Sequence, residues 1–200
     1  PEAGGVIANG YIHDTQCVIY GGPDTRFRGR ELCFSSSERK FLISDVTDKS
    51  NPETVAVLSY DGNQYSHQGW LSEDHSYFYM NDELDELNHN HNTRTYIWDL
   101  QDLENPDMIG FFQHQTNSVD HNLYIHNNLM YKANYTSGLR ILDITGRLPE
   151  SIREVGFFDT TPGNNEKQFA GLWSNYPWLF GNKVLVSDIN NGLFILRFER

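Results

Sequence analysis

Short runs of apolar residues broken by polar ones follow one another along almost the whole chain. Phe41-Leu42-Ile43-Ser44-Asp45, Tyr96-Ile97-Trp98-Asp99 and Leu139-Arg140-Ile141-Leu142-Asp143 are compact, mostly apolar runs that each close on aspartate. A second apolar run follows each: Val55-Ala56-Val57-Leu58, Met108-Ile109-Gly110-Phe111-Phe112 and Val155-Gly156-Phe157-Phe158. Between the first two pairs lie Asn51-Pro52 and Asn105-Pro106, residues that suit a turn through local hydrogen bonding and a pre-set φ. Almost no 3.6-residue periodicity is present, so the pattern predicts short strands joined by turns.

The runs also recur at a fixed interval. His13-Asp14-Thr15-Gln16-Cys17-Val18, His67-Gln68-Gly69-Trp70-Leu71 and His121-Asn122-Leu123-Tyr124-Ile125 open three successive units, and their histidines are 54 residues apart. In a looser fourth unit Gly192 stands 54 residues after Gly138, and Gly171-Leu172-Trp173-Ser174 replaces the histidine segment. A repeat of about 50 residues with four strands per unit predicts an all-β fold, a β-propeller of about four four-stranded blades. The blades fall near 11–60, 65–113, 119–160 and 168–200, with 1–10 as the last strand of a preceding or closing blade. A sandwich predicts no fixed period. The region is read as the C-terminal portion of a larger propeller, whose N-terminal blades would pack against it.

Charge narrows the partners. The 200 residues carry a formal net charge of −12, which argues against nucleic acid and anionic membrane surfaces, since both require basic patches. No apolar run approaches the ~20 residues needed to cross a bilayer, so this region inserts in no membrane as a helix. Cys17 and Cys33 fall on adjacent predicted strands and form either a disulfide or two buried thiols. Asn134-Tyr135-Thr136 is a glycosylation sequon.

Candidate chemistry follows from the repeat. The first strand of a propeller blade lines the central channel, so His13, His67 and His121 would converge near one mouth. Three imidazoles around an open position suit zinc or another first-row ion. A histidine held within its own blade by a hydrogen bond is the competing reading. Asp14, Gln16, Gln68, Asp120, Asn122 and Trp173 lie beside the histidines as candidate ligand-binding or orienting residues. A second candidate is the insertion from Asp82 to Asn92, in which Asp82, Glu83, Asp85 and Glu86 offer oxygen ligands for Ca²⁺, although the spacing is not that of an EF-hand. Trp173, Tyr176, Pro177 and Trp178 form an aromatic cluster suited either to stacking on a sugar or to packing between blades. No nucleophile elbow and no phosphate-cradling glycine loop is present in the sequence.

His13-Asp14-Thr15-Gln16-Cys17, Gly29-Arg30-Glu31-Leu32-Cys33-Phe34, His67-Gln68-Gly69-Trp70, Asp82-Glu83-Leu84-Asp85-Glu86, Asp120-His121-Asn122-Leu123-Tyr124 and Trp173-Ser174-Asn175-Tyr176-Pro177 together resemble the choice-of-anchor B family of exported bacterial proteins with LVIVD repeats. The resemblance implies an extracellular or cell-surface propeller and a full-length protein roughly twice this size. It implies no reaction. The expectation is a binding or scaffold module for a small-molecule, glycan or protein ligand. The rivals are a metal-dependent hydrolase in which Asp14 or Asp120 handles protons, and a purely structural surface protein.

Overall fold

The computed structural model describes residues 10–164 and 166–199. Its strands form four antiparallel meanders arranged as propeller blades. The first contains β1 (Asp14–Ile19), β2 (Glu31–Ser37), β3 (Lys40–Asp45) and β4 (Glu53–Leu58) in sequence order. The second contains β5 (Ser66–Leu71), β6 (Tyr77–Asp82), β7 (Arg94–Asp99) and β8 (Asp107–Gln113). The third contains β9 (Asn122–His126), β10 (Leu129–Ala133), β11 (Leu139–Asp143) and β12 (Arg153–Phe158). Among the described residues the fourth has three strands, β13 (Leu172–Leu179), β14 (Lys183–Asp188) and β15 (Gly192–Arg197). The closing strand expected within residues 1–10 falls almost wholly outside the described residues.

A β-bulge recurs where the third strand of each complete sheet meets the fourth, at Ile43/Ser44, Ile97/Trp98 and Ile141/Leu142. Such bulges bend and further twist the outer strand. Apolar side chains on facing sheets fill the gaps between blades. Phe34, Phe41 and Ile43 of the first sheet meet Phe78, Met80, Tyr96 and Trp98 of the second. Tyr79 and Ile97 meet Leu123, Ile125, Met130 and Leu142, and Leu139 and Ile141 meet Leu172, Val184 and Val186.

Inner strands β1, β5, β9 and β13 lie side by side without sharing a sheet. Amide side chains bridge the gaps. Gln16 Oε1 accepts the Leu71 N–H at 2.8 Å. Gln68 accepts the Leu123 N–H at 2.8 Å and donates to the Leu123 carbonyl at 3.0 Å, and Asn122 donates to the Ser174 hydroxyl at 3.2 Å. Gln16 and Gln68, expected to face a ligand, are engaged in ties between neighbouring blades. Strands of different sheets leave polar backbone groups unmatched at the inner rim, and the amides of Gln16 and Gln68 satisfy them.

Cys17 and Cys33 face each other across β1 and β2 and are joined in a disulfide. With a sequence separation of 16, replacing both with serine is expected to lower stability by about 3 kcal/mol through the freed unfolded chain. Urea denaturation of the oxidised wild type against the double variant measures it. Asn134 is fully buried, and its backbone N–H donates to the Gly138 carbonyl, so the sequon is closed to a glycan in the folded chain.

Candidate metal centre

Each histidine stands at or just before the start of an inner strand, and the propeller geometry brings the three together. Ring centroids are 4.4 Å apart for His13 and His67 and 4.5 Å for His67 and His121. Trp173 continues the row, 4.1 Å from His121. His13 is exposed, and its Nδ1 meets the hydroxyls of Tyr11 at 3.2 Å and Tyr65 at 3.1 Å. His67 and His121 are only 4% and 3% exposed.

The two buried rings are oriented alike. His67 Nδ1 lies 3.2 Å from the His121 carbonyl, and His121 Nδ1 lies 2.5 Å from the Trp173 carbonyl. A carbonyl only accepts, so both Nδ1 atoms carry the proton and both Nε2 atoms keep their lone pairs. Those Nε2 atoms face one carboxylate, with His67 3.6 Å from Glu83 Oε2 and His121 3.8 Å from Glu83 Oε1. Tyr135 donates its hydroxyl to Glu83 Oε1 at 2.6 Å. Burial, reinforced by the neighbouring imidazoles, holds the His67 pKa down at about 2, and burial brings His121 to about 4. Desolvation raises Glu83, against the Tyr135 hydrogen bond that favours its anion. The rings are therefore neutral near pH 7, the form in which imidazole binds a metal.

His67, Glu83 and His121 each offer a donor atom, and these atoms all lie within 4.8 Å of one another. Among the described residues this is the one such group, and it differs from the expected set. Glu83, from the acidic insertion, takes the third place expected of His13, because the loop after β6 folds over the mouth. Asp82 fixes that loop: its carboxylate accepts the Tyr60 hydroxyl and the backbone N–H groups of Gln64 and Tyr65, each at 2.7 Å.

The four acids expected to surround Ca²⁺ are thus separated. Asp82 is consumed by hydrogen bonds and Glu83 points to the histidines. Asp85 and Glu86 are buried in the five-residue helix α1 (Asp85–His89). Asp85 accepts the Tyr96 hydroxyl at 2.6 Å, and Glu86 is held well above the usual carboxylate range by burial and by the charges of Asp120 and Asp85. Asp120 is fully buried and paired with Lys132 at 3.1 Å, which removes it from the mouth as ligand or proton carrier. Asp14 is half-buried at the start of β1, its pKa raised by burial.

Tyr65 and Tyr135 were not expected at the site. One signal was present in the sequence: Tyr11-Ile12-His13 and Tyr65-Ser66-His67 share a tyrosine two places before the histidine. Nothing at sequence level marked Tyr135 or the pairing of Glu83 with the histidines.

No family model and no curated protein matches the chain. Solved structures do. The fold is that of known propellers. A periplasmic gluconolactonase of Pseudomonas aeruginosa superposes with a TM-score of 0.66 at 12% identity, over 95% of this chain and 50% of that one. A protein from Lactobacillus plantarum gives 0.67 at 14% identity, over 94% of this chain and 51% of that one. The computationally designed Ika4 protein gives 0.54 at 8% identity, over 84% of this chain and 86% of that one. The chain spans about half the length of the two natural proteins. At such identities the likeness is one of fold.

Proposed function

We propose that this chain is a binding module of an exported propeller, and that His67, Glu83 and His121 hold a divalent first-row transition ion, zinc foremost, at its mouth. One observation carries the reading: both buried imidazoles are locked through Nδ1 to backbone carbonyls, with Nε2 turned toward the same carboxylate. Metal-bound histidines are oriented by this kind of outer hydrogen bond. The Glu83 oxygens lie 3.6 and 3.8 Å from the two nitrogens and the three donor atoms within 4.8 Å of one another, so the side chains would draw inward to reach zinc bonds of about 2.0–2.2 Å. Two nitrogens and one oxygen are a donor set that zinc accepts. Tyr135 steadies the carboxylate.

Export is supported by the disulfide, which persists in oxidising compartments, and by the periplasmic location in the name of the P. aeruginosa neighbour. The choice-of-anchor B resemblance belongs to the same proposal and rests on the motifs quoted above. The binding reading is preferred to hydrolysis because Asp120, one candidate proton carrier, is locked against Lys132.

Calorimetric titration of the metal-free protein with Zn²⁺ tests the site. One ion per chain is expected. Losing an outer-shell partner typically weakens metal binding 10–100-fold, so losing a donor in His67→Ala is expected to cost about 100-fold or more. His13→Ala is expected to stay within about threefold, because that ring is outside the donor set. An absence of stoichiometric binding, or equal affinities in His67→Ala and wild type, would overturn the assignment.

A further inference from the structure

We infer that the ligand taken at this mouth is a sugar, seated with the C–H face of its ring on Trp173 and its hydroxyl groups toward the metal group and His13. The inference rests on the mouth being the ligand site proposed above. It adds the class of molecule.

The two sides of the mouth differ in chemistry. On one side stand hydrogen-bonding groups: the exposed imidazole of His13 and the hydroxyls of Tyr11 and Tyr65 that meet it. On the other side stand aromatic surfaces without polar cover. Trp173 is 47% exposed and Phe169 51% exposed, and both pack edge-on around buried Tyr135, at 6.1 and 5.5 Å. Tyr135 is also the residue that donates to Glu83, so the aromatic corner and the donor group share one side chain. Trp173 is held against the His121 ring, and its own carbonyl accepts from His121 Nδ1. A large apolar ring held rigidly and half open to solvent is unfavourable in isolation, and it costs no ordering entropy when a ligand covers it.

The two sides together narrow the class of ligand. A purely apolar ligand would leave the His13 side and the donor group without partners. A hydroxyl-rich ring with one apolar face satisfies both sides.

The test is calorimetric titration of the wild type, Trp173→Ala and Trp173→Phe with D-glucose, D-galactose and D-mannose, after each protein has been titrated with Zn²⁺ alone. At least one sugar is expected to bind wild type. Trp173→Ala is expected to weaken it about tenfold, and Trp173→Phe, which keeps an aromatic face, to stay within about threefold. Circular dichroism establishes that the variants are folded. Zinc binding without sugar binding, or equal sugar affinity in Trp173→Ala and wild type, overturns the sugar inference and leaves the metal reading standing. If Zn²⁺ does not bind, the metal reading falls, and the same sugar series on the metal-free proteins decides the role of Trp173.

Discussion

Lys132→Met is expected to destabilise the protein by about 3–5 kcal/mol, the usual consequence of leaving one charge of a buried pair unpaired. Lys132 is completely buried. Its ammonium donates to Thr95 Oγ1 at 2.6 Å, to Asp120 Oδ2 at 3.1 Å and to the Arg94 carbonyl at 3.4 Å. The charges of Asp85 and Asp82 also bear on Asp120, and burial already holds its carboxyl well above the usual range. Without the lysine, Asp120 must take up a proton or stay charged in a low-dielectric site. The sign with pH follows. A carboxyl whose folded pKa lies above its unfolded value loses stability as pH rises between the two, so the deficit of Lys132→Met should be larger at pH 8 than at pH 5. Urea denaturation at both pH values measures it, and Lys132→Met with Asp120→Leu should recover much of the loss. A deficit below about 1 kcal/mol at pH 8 would show that the pair is not behaving as a buried one.

Phe78→Ala should cost a similar amount, about 3–5 kcal/mol, for a different reason. Phe78 is almost wholly buried between the first two sheets, stacked on Phe41 at 4.6 Å with ring planes 5° apart, and 5.9 Å from Phe34. Its ring also lies over Gly69. A Cβ at that position would stand 2.4 Å from Phe78 Cζ and 2.6 Å from the Tyr79 carbonyl oxygen, so alanine there has no room. The aromatic ring and the glycine form one packing unit, and the truncation leaves a cavity that β5 cannot collapse into without shifting its partner strand. Thermal and urea unfolding report the loss. A change of less than about 1 kcal/mol would mean the space is refilled.

The fold was legible because a propeller writes its period into the sequence. Histidines at 13, 67 and 121 and bulged strands ending near Asp45, Asp99 and Asp143 occupy corresponding places in successive sheets. The meeting of the histidines at one mouth was equally open to inference, because equal offsets become neighbouring places around an axis. The third donor was hidden. Glu83 sits among three other acids, and it is the hydrogen bonds that bind Asp82 to the loop 60–65, Asp85 to Tyr96 and Glu83 to Tyr135 that separate them. The roles of Gln16 and Gln68 were hidden too, since a polar side chain beside a candidate ligand reads the same whether it faces a guest or ties two strands. What sequence periodicity does not carry is the direction of a side chain at the seam between sheets.

The hydrogen bonds from His67 to the His121 carbonyl and from His121 to the Trp173 carbonyl run from the second sheet to the third and from the third to the fourth. The aim of each imidazole is therefore set by the angle between neighbouring blades. An ion captured by His67, Glu83 and His121 would fasten two of those blades as a rivet, and its binding energy would appear as resistance of that seam to opening. Amide exchange along β5 and β9, slowed by Zn²⁺ while exchange in β3 and β4 is unchanged, is the signature of such a fastening.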